Sequence, residues 1–160
     1  MRDSAVLIDF IDLTLKEKEK VLSWRNHPDI KKWMYNDKDI TLKEHLEFIE
    51  SLKSRVDKRY FLVQQNDEDI GVIDLTNITS DDLEIGLYAN PSQRGVGNIL
   101  MRVIIDYSFG KLHVKKIFAE VFSENSKASH LYQKHGFSQV NKKNMNGKEV
   151  LCMELKNENR

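Results

Sequence analysis

The chain has 160 residues, 25 lysines and arginines against 25 aspartates and glutamates, 40% hydrophobic residues and one cysteine. That length suits a single domain over 1–160, able to bury roughly 70% of the surface its unfolded chain exposes. Zero formal charge excludes broad electrostatic capture of nucleic acid or an anionic membrane, because both need a basic face. Cys152 alone permits no internal disulfide and no thiolate metal cage, and His130 and His135, five apart, lack a third ligand, so no metal is expected. No apolar run is longer than Ala5–Ile8 or Tyr60–Val63, too short to span a bilayer, and Asp3 and Asp9 interrupt any leader-like core. A cytoplasmic protein is the expectation.

In chain order, Val6–Ile11 reads as a strand and Lys16–Trp24 as a charged helix turning Val21, Leu22 and Trp24 inward. Pro28 suits the first turn of a second helix, where its missing N–H is not needed. Thr41-Leu42-Lys43-Glu44 forms a capping box, and Leu42, His45, Phe48, Ile49 and Leu52 then recur at helical spacing to about Arg55. Arg59–Gln65, Ile70–Ile78 and Leu83–Ala89 are β-rich and separated by polar turns, an antiparallel meander. Helical spacing returns after Gly95 with Val96, Ile99, Leu100, Val103 and Ile104. Lys116–Phe122 is a strand, and Ser126–Lys134 a helix that Gly136 can end in the left-handed conformation. Phe137–Asn141 and Glu149–Leu155 close the chain as a hairpin around Asn146-Gly147; Lys156–Arg160 are expected to fray. The order β-α-α-α-β-β-β-α-β-α-β-β predicts an α/β (α+β) fold, a mixed sheet flanked by helices.

The segment Gln93-Arg94-Gly95-Val96-Gly97-Asn98 joins a strand to an amphipathic helix. Its glycines allow close backbone approach, and the free amides and dipole of the helix suit a phosphate, to which Arg94 adds charge. Alone, the pattern is more often plain turn chemistry, and it matches neither a nucleotide-hydrolase loop nor a dinucleotide fingerprint. A second block follows at Asn125-Ser126-Lys127-Ala128, running through Tyr132 to Gly136-Phe137. With that pairing the chain resembles the Gcn5-related N-acetyltransferase (GNAT) superfamily over about Arg59–Phe137, although Ser92 stands where glutamine or arginine is usual.

The resemblance implies a mostly antiparallel sheet of about seven strands, splayed between strands 4 and 5, with acetyl-CoA as cofactor. It implies that Gln93, Arg94, Gly95, Val96, Gly97 and Asn98 hold the pyrophosphate. Leu87, Tyr88 and Ala89 would pair with the pantetheine arm, Asn125 would bond it, and Tyr132 would face the sulfur. A phenol there can protonate the departing thiolate; the plain alternative is a core tyrosine with its hydroxyl at the surface. For the base that takes the amine's proton, Glu84 and Glu120 both stand on strands at the splay, and the choice between them is open. Strand alternation puts Glu84, Gly86 and Tyr88 on one face.

The N-terminal third carries Trp24-Arg25-Asn26-His27-Pro28, Trp33-Met34-Tyr35 and the helix Thr41–Glu50. With Arg59–Leu62 and Gly86–Pro91, these resemble the UDP-4-amino-4,6-dideoxy-N-acetyl-β-L-altrosamine N-acetyltransferases of pseudaminic acid synthesis, a route to flagellin glycosylation. The resemblance implies an acceptor site of Arg25, Met34, Tyr35, His45, Phe48, Tyr88 and Glu120. Arg25 can meet a diphosphate and His45 a phosphate or sugar oxygen, while Met34, Tyr35, Phe48 and Tyr88 offer apolar and flat surfaces. The alternatives are a core role for Met34 and Phe48, a structural His45 and a helix-capping Arg25. His130 and His135 read as exposed and Cys152 as buried and inert. Two rivals stand beside this acceptor: a protein N-terminus or other small amine, and a cofactor-binding sensor without turnover. The last hairpin leaves an edge through which a homodimer can pair.

Overall fold

The computed structural model describes residues 5–158; Met1–Ser4 and the last two residues, Asn159 and Arg160, lie outside it. Strand β1 is shorter than expected, Val6–Asp9, because the Asp9 carboxylate accepts the Ile11 amide and turns Phe10–Asp12 into a 3-10 turn. Helices α1 (Leu15–Arg25) and α3 (Leu42–Leu52) each begin in a capping box, Thr14 with Glu17 and Thr41 with Glu44. Each box satisfies two amides that a helix start leaves unpaired. Between them stands α2, the single turn Pro28–Lys31.

The meander follows as β2 (Arg59–Gln65), β3 (Glu68–Thr76) and β4 (Asp82–Ala89). Helix α4 (Gly97–Asp106) runs on into a wider turn over Tyr107–Lys111, where the Ser108 hydroxyl donates to the Ile104 carbonyl. Then come β5 (Lys116–Phe122), α5 (Ser126–Lys134), β6 (Ser138–Met145) and β7 (Lys148–Lys156). Gly136 leaves α5 at φ +95°, as its position predicted. Lys156 does not fray but ends β7, after which the Asn157 amide donates to the Lys115 carbonyl.

The seven strands lie in the order β1-β2-β3-β4-β5-β7-β6, and among them only β4 and β5 run parallel. That parallel pair is short. It runs from Asp82↔Lys116 to Ile85↔Ala119 and stops, so Gly86–Ala89 and Glu120–Phe122 diverge. The expected splay is present.

Register and alternation sort the sheet into two faces. One turns Phe61, Val63, Ile73, Leu75, Ile85 and Ile117 against Leu100, Met101 and Ile104 of α4, forming the larger core. The other turns Leu62 and Val72 against Val21, Trp24, Ile49 and Leu52 of α1 and α3. The helical cover of this second face does not reach β5 and β7, where Glu84, Phe118, Glu120 and Cys152 share one open cavity. The cover stops where the chemistry starts.

Candidate active site

The open part of the second face is a cavity of about 260 Å³ lined by Asn77, Glu84, Phe118, Glu120, Cys152 and Met153. Glu84 and Glu120 project from strands on either side of the splay. Their environments differ. Burial alone would raise Glu120, but Lys143 lies 2.8 Å from one carboxylate oxygen and the Tyr35 hydroxyl donates to the other, and together they hold it below its ordinary value. Glu84 is raised, first by burial and then by the charge of Glu120, against the pull of Lys143 and a bond from Asn77. The structure thus divides two residues that the sequence left equal: Glu120 is kept ionised, suited to holding an ammonium, and Glu84 is the better proton acceptor.

Tyr35 is tied into this site at three points. Its hydroxyl meets Glu120, its ring stands edge-on to Phe122 at 5.5 Å, and its carbonyl accepts from Asn146 of the last hairpin at 3.3 Å. Burial and the bond to Glu120 raise the phenol well above its usual range, so it stays a donor. Met34, half-buried, precedes it in the turn after α2.

Arg25, Phe48 and Tyr88 gather at a neighbouring place, under α1 and α3. Phe48 packs edge-on to Tyr60 with ring centroids 4.9 Å apart, and Tyr88 joins the same cluster. Arg25 donates from Nη2 to the Asn36 carbonyl at 2.8 Å, while its buried Nη1 finds no partner among the described residues. It caps none of its own helix's carbonyls. Burial lowers its pKa despite the nearby Tyr88, Tyr60 and Asp39.

His45 departs from expectation. Its Nε2 lies 2.9 Å from the Lys18 carbonyl and its ring stands edge-on to Phe10. The nitrogen expected to meet a phosphate or sugar oxygen is spent joining α3 to α1, and burial lowers its pKa and keeps it neutral. Cys152 also differs: it is half-buried and faces the cavity, because β7 pairs it with Glu120. Burial and the Glu120 charge raise its pKa, so it is a thiol and no nucleophile. His130 is exposed as expected, but His135 is half-buried and bonds Asn98 at 2.9 Å.

On the other side of the splay, the buried Tyr132 of α5 packs edge-on to Phe137 at 5.2 Å. Its hydroxyl makes no hydrogen bond among the described residues. Burial, with the charges of Asp74 and Glu84, drives it far above an ordinary phenol, so it keeps its proton until a stronger base than water arrives.

The remaining residues test whether acetyl-CoA fits. Helices α1, α3 and α5 all have side-chain N-caps, that of α5 being Asn125 accepting from the Ala128 amide at 3.3 Å. Helix α4 has none: Val96 stands at its start, so its first amides lack side-chain partners. Gly95 lies open, with nothing within 4 Å of where a side chain would stand, and Arg94 is exposed. Gln93 is anchored to Glu68 at 2.8 Å, holding the loop against the β2–β3 turn. An uncapped, glycine-opened helix start is what a pyrophosphate needs. Leu87, Tyr88 and Ala89 pair with β3 on one side and with nothing on the β5 side, leaving backbone for a pantetheine arm. Asn125 uses its oxygen in the cap and keeps its amide nitrogen. The residues fit the group.

Two residues at this site carry no signal that the sequence reading used. Lys143 lies in a polar hairpin strand that reads as solvent-facing. Asp74 interrupts the apolar run of β3, and that interruption was a usable clue to a half-buried carboxylate.

Residues 9–138 match the family model for an acetyltransferase (GNAT) domain. The chain is 47% identical over 132 residues to Acetyltransferase PseH of Campylobacter jejuni subsp. jejuni serotype O:23/36, covering 82% of this chain and 83% of that protein. It superposes on the crystal structure of Campylobacter jejuni N-acetyltransferase PseH in complex with acetyl coenzyme A with a TM-score of 0.81 and 37% identity, over 96% of this chain and 99% of that one. Spermidine N-acetyltransferase from Vibrio cholerae in complex with CoA and spermine gives a TM-score of 0.84 at 23% identity, covering 95% of each chain, a likeness of fold. The chain belongs to the GNAT acetyltransferase family and is an acetyl-CoA-dependent N-acetyltransferase.

Proposed function

We propose that this chain transfers acetyl from acetyl-CoA to the 4-amino group of a UDP-linked 4-amino-4,6-dideoxy-N-acetyl-altrosamine, in the cytoplasm, as one domain over 1–160. The observation that carries the acceptor is Arg25. A half-buried guanidinium beside two tyrosines, with one buried nitrogen unpaired, costs stability unless something accepts from it. A diphosphate oxygen does so bidentately with the remaining N–H groups, and Phe48, Tyr60 and Tyr88 offer flat faces to a base or sugar. The near full-length likeness to N-acetyltransferase PseH supports the reading.

The α4 amides with Gln93–Asn98 hold the pyrophosphate, the backbone of Leu87–Ala89 holds the arm, and Asn125 bonds it through its free amide. When bound, acetyl-CoA supplies an activated acetyl group and a thiolate leaving group. Glu120, kept ionised by Lys143 and Tyr35, receives the acceptor's ammonium. Glu84, raised above its ordinary value first by burial and then by the charge of Glu120, takes part in removing its proton. A backbone amide of the splayed strand polarises the acetyl carbonyl, and Tyr132 gives its proton to the sulfur. The acceptor and acetyl-CoA meet in one ternary complex, since Cys152 offers no covalent station. The exposed β6 edge is the surface through which two copies would pair.

Mass spectrometry of the protein with acetyl-CoA and the sugar nucleotide, beside a peptide and a polyamine, tests the acceptor. One acetyl on the sugar nucleotide supports it. A second reading, a polyamine or peptide amine, is favoured by the cluster of Asp82, Glu84 and Glu120 in the cavity, and acetylation of those controls alone would replace the first.

A further inference from the structure

We propose that Asp74 is a catalytic base of this enzyme, taking the proton that the acceptor amine must lose before it attacks; this rests on the acetyl-transfer chemistry above. Asp74 stands in the middle of β3, paired with Gly86 of β4. Gly86 is the first residue of β4 past the last pairing with β5, so this register places Asp74 at the mouth of the splay. Its carboxyl lies directly over Gly86. A Cβ built there would stand 2.6 Å from Oδ2 and 3.0 Å from Oδ1, so only glycine leaves the carboxyl in place.

Alternation sets Asp74 on the same face as Glu84 and Tyr88. Four ionisable groups lie within its field: Tyr60 from β2, Glu84 and Tyr88 from β4, and Tyr132 from α5. Lys58 is the cation that opposes them. Asp74 therefore shares one electrostatic neighbourhood with the proton donor to the sulfur and with a carboxylate of the acceptor cavity.

What the side chain lacks matters as much. Among the described residues Asp74 makes no hydrogen bond and no ion pair, caps no helix and holds no loop. A carboxylate so placed costs folding free energy, and no structural role offsets the cost. Burial, with the charge of Glu84 adding, pushes it up to about 7. That is where a base works best near neutral pH, whereas Glu120 is held low by Lys143 and Tyr35.

The proton balance closes. The acceptor arrives as an ammonium, and the Asp74 carboxylate takes one proton, freeing the nitrogen lone pair. The N–C bond forms at the acetyl carbonyl carbon as the C–S bond breaks, and that bond's electron pair goes to sulfur. Sulfur takes the Tyr132 proton, the second proton leaving nitrogen restores the phenol, and Asp74 releases its own to solvent. One amide, one thiol and one free proton result.

The test uses whichever amine the wild-type protein acetylates, so that a wrong acceptor and a wrong base are told apart: wild-type turnover decides the first, the variants decide the second. Wild-type kcat/KM rises with pH through a limb near neutrality. Asp74→Asn loses that limb and about 10–100-fold in kcat, while calorimetry shows an unchanged Kd for acetyl-CoA. Glu84→Gln moves the limb to lower pH, because it removes the like charge that helps raise Asp74. Gly86→Ala keeps the carboxylate but displaces it, and lowers kcat by a smaller factor. Without any acceptor, Asp74→Asn melts higher than wild type at pH 8 and by a smaller margin at pH 5, because the cost of the raised carboxyl grows as pH rises from its unfolded value near 3.8 to its folded one of about 7. An Asp74→Asn protein that keeps the wild-type limb overturns the proposal, as does one whose melting shift is the same at both pH values. Should that variant not fold, an unchanged kcat in Gly86→Ala overturns it.

Discussion

The two sides of the splay are assembled in different ways. The proposed cofactor side draws on one stretch of chain, Leu87 to Phe137, in which a strand, a glycine-opened loop, α4 and α5 follow each other with fixed spacing. The proposed acceptor side is put together from Arg25, Tyr35, Asp74, Glu84, Glu120 and Lys143, which lie on six different segments and are brought to one face only once the sheet has formed. Chemistry done on a constant ligand can be encoded locally, because loop and helix geometry alone present the groups. Chemistry done on a particular amine needs charges balanced against one another across the sheet, and that balance is a property of the fold.

The largest effect belongs to the cofactor side. Tyr132→Phe removes the proposed proton donor without changing the packing against Phe137, and should lower kcat by about 10²–10⁴-fold while leaving the acetyl-CoA Kd unchanged. Loss of cofactor affinity instead would make Tyr132 a structural residue and erase the contrast between a binding loop and a reacting group.

Next is the core that presses α4 on the sheet. Leu100 is fully buried, and Leu100→Ala should cost about 2–5 kcal/mol, or roughly 5–15 °C in Tm. Because α4 positions the uncapped amides, the acetyl-CoA KM should rise more than the acceptor KM. Equal changes in both would mean that the two sides are not mechanically separate.

A smaller effect probes the acceptor side. Lys143→Met removes the cation that keeps Glu120 ionised, so the carboxyl's pKa rises. Its negative charge is then lost at a higher pH than in wild type. The acceptor KM should rise about tenfold as the pH falls toward 5, with little change at pH 8; the acetyl-CoA KM should not follow. An acceptor KM that is insensitive to Lys143 at every pH would remove Glu120 from ammonium binding.

Most of the architecture was legible because it is written in local signals: a capping box at Thr41, a glycine exit at Gly136, and β-rich runs set between polar turns from Arg59 to Ala89; the capping box at Thr14 emerged only in the structure. The bounds of β5 and α5 fall where spacing placed them. The end of β1 did not, because its last residues are diverted by a side-chain bond from Asp9 to the Ile11 amide, which apolar patterning does not register. In the site, the glycine loop and Tyr132 stood out in sequence. Lys143 did not, since a lysine in a polar strand looks the same whether it faces water or a carboxylate 23 residues earlier. Asp74 was legible as an anomaly in an apolar strand, yet its meaning depends on Gly86 lying opposite, which only register reveals.

His45 shows the same limit from the other direction, and carries the smallest effect. Its amphipathic position beside Phe48 fits either a ligand contact or a core histidine; the bond to the Lys18 carbonyl decides for a brace between α1 and α3. His45→Leu should therefore leave the acceptor KM unchanged and cost about 1 kcal/mol at pH 7.5, the worth of one hydrogen bond. The sign of its pH dependence follows from burial, which lowers the folded-state pKa below the unfolded value near 6.5. The unfolded chain then binds a proton that the native one does not, so the wild type loses this contribution as pH falls through 6.5. The leucine variant has no such proton to bind, and its deficit should shrink on going from pH 7.5 to pH 5. Melting curves at the two pH values check this, and a raised acceptor KM with unchanged stability would return His45 to the acceptor site.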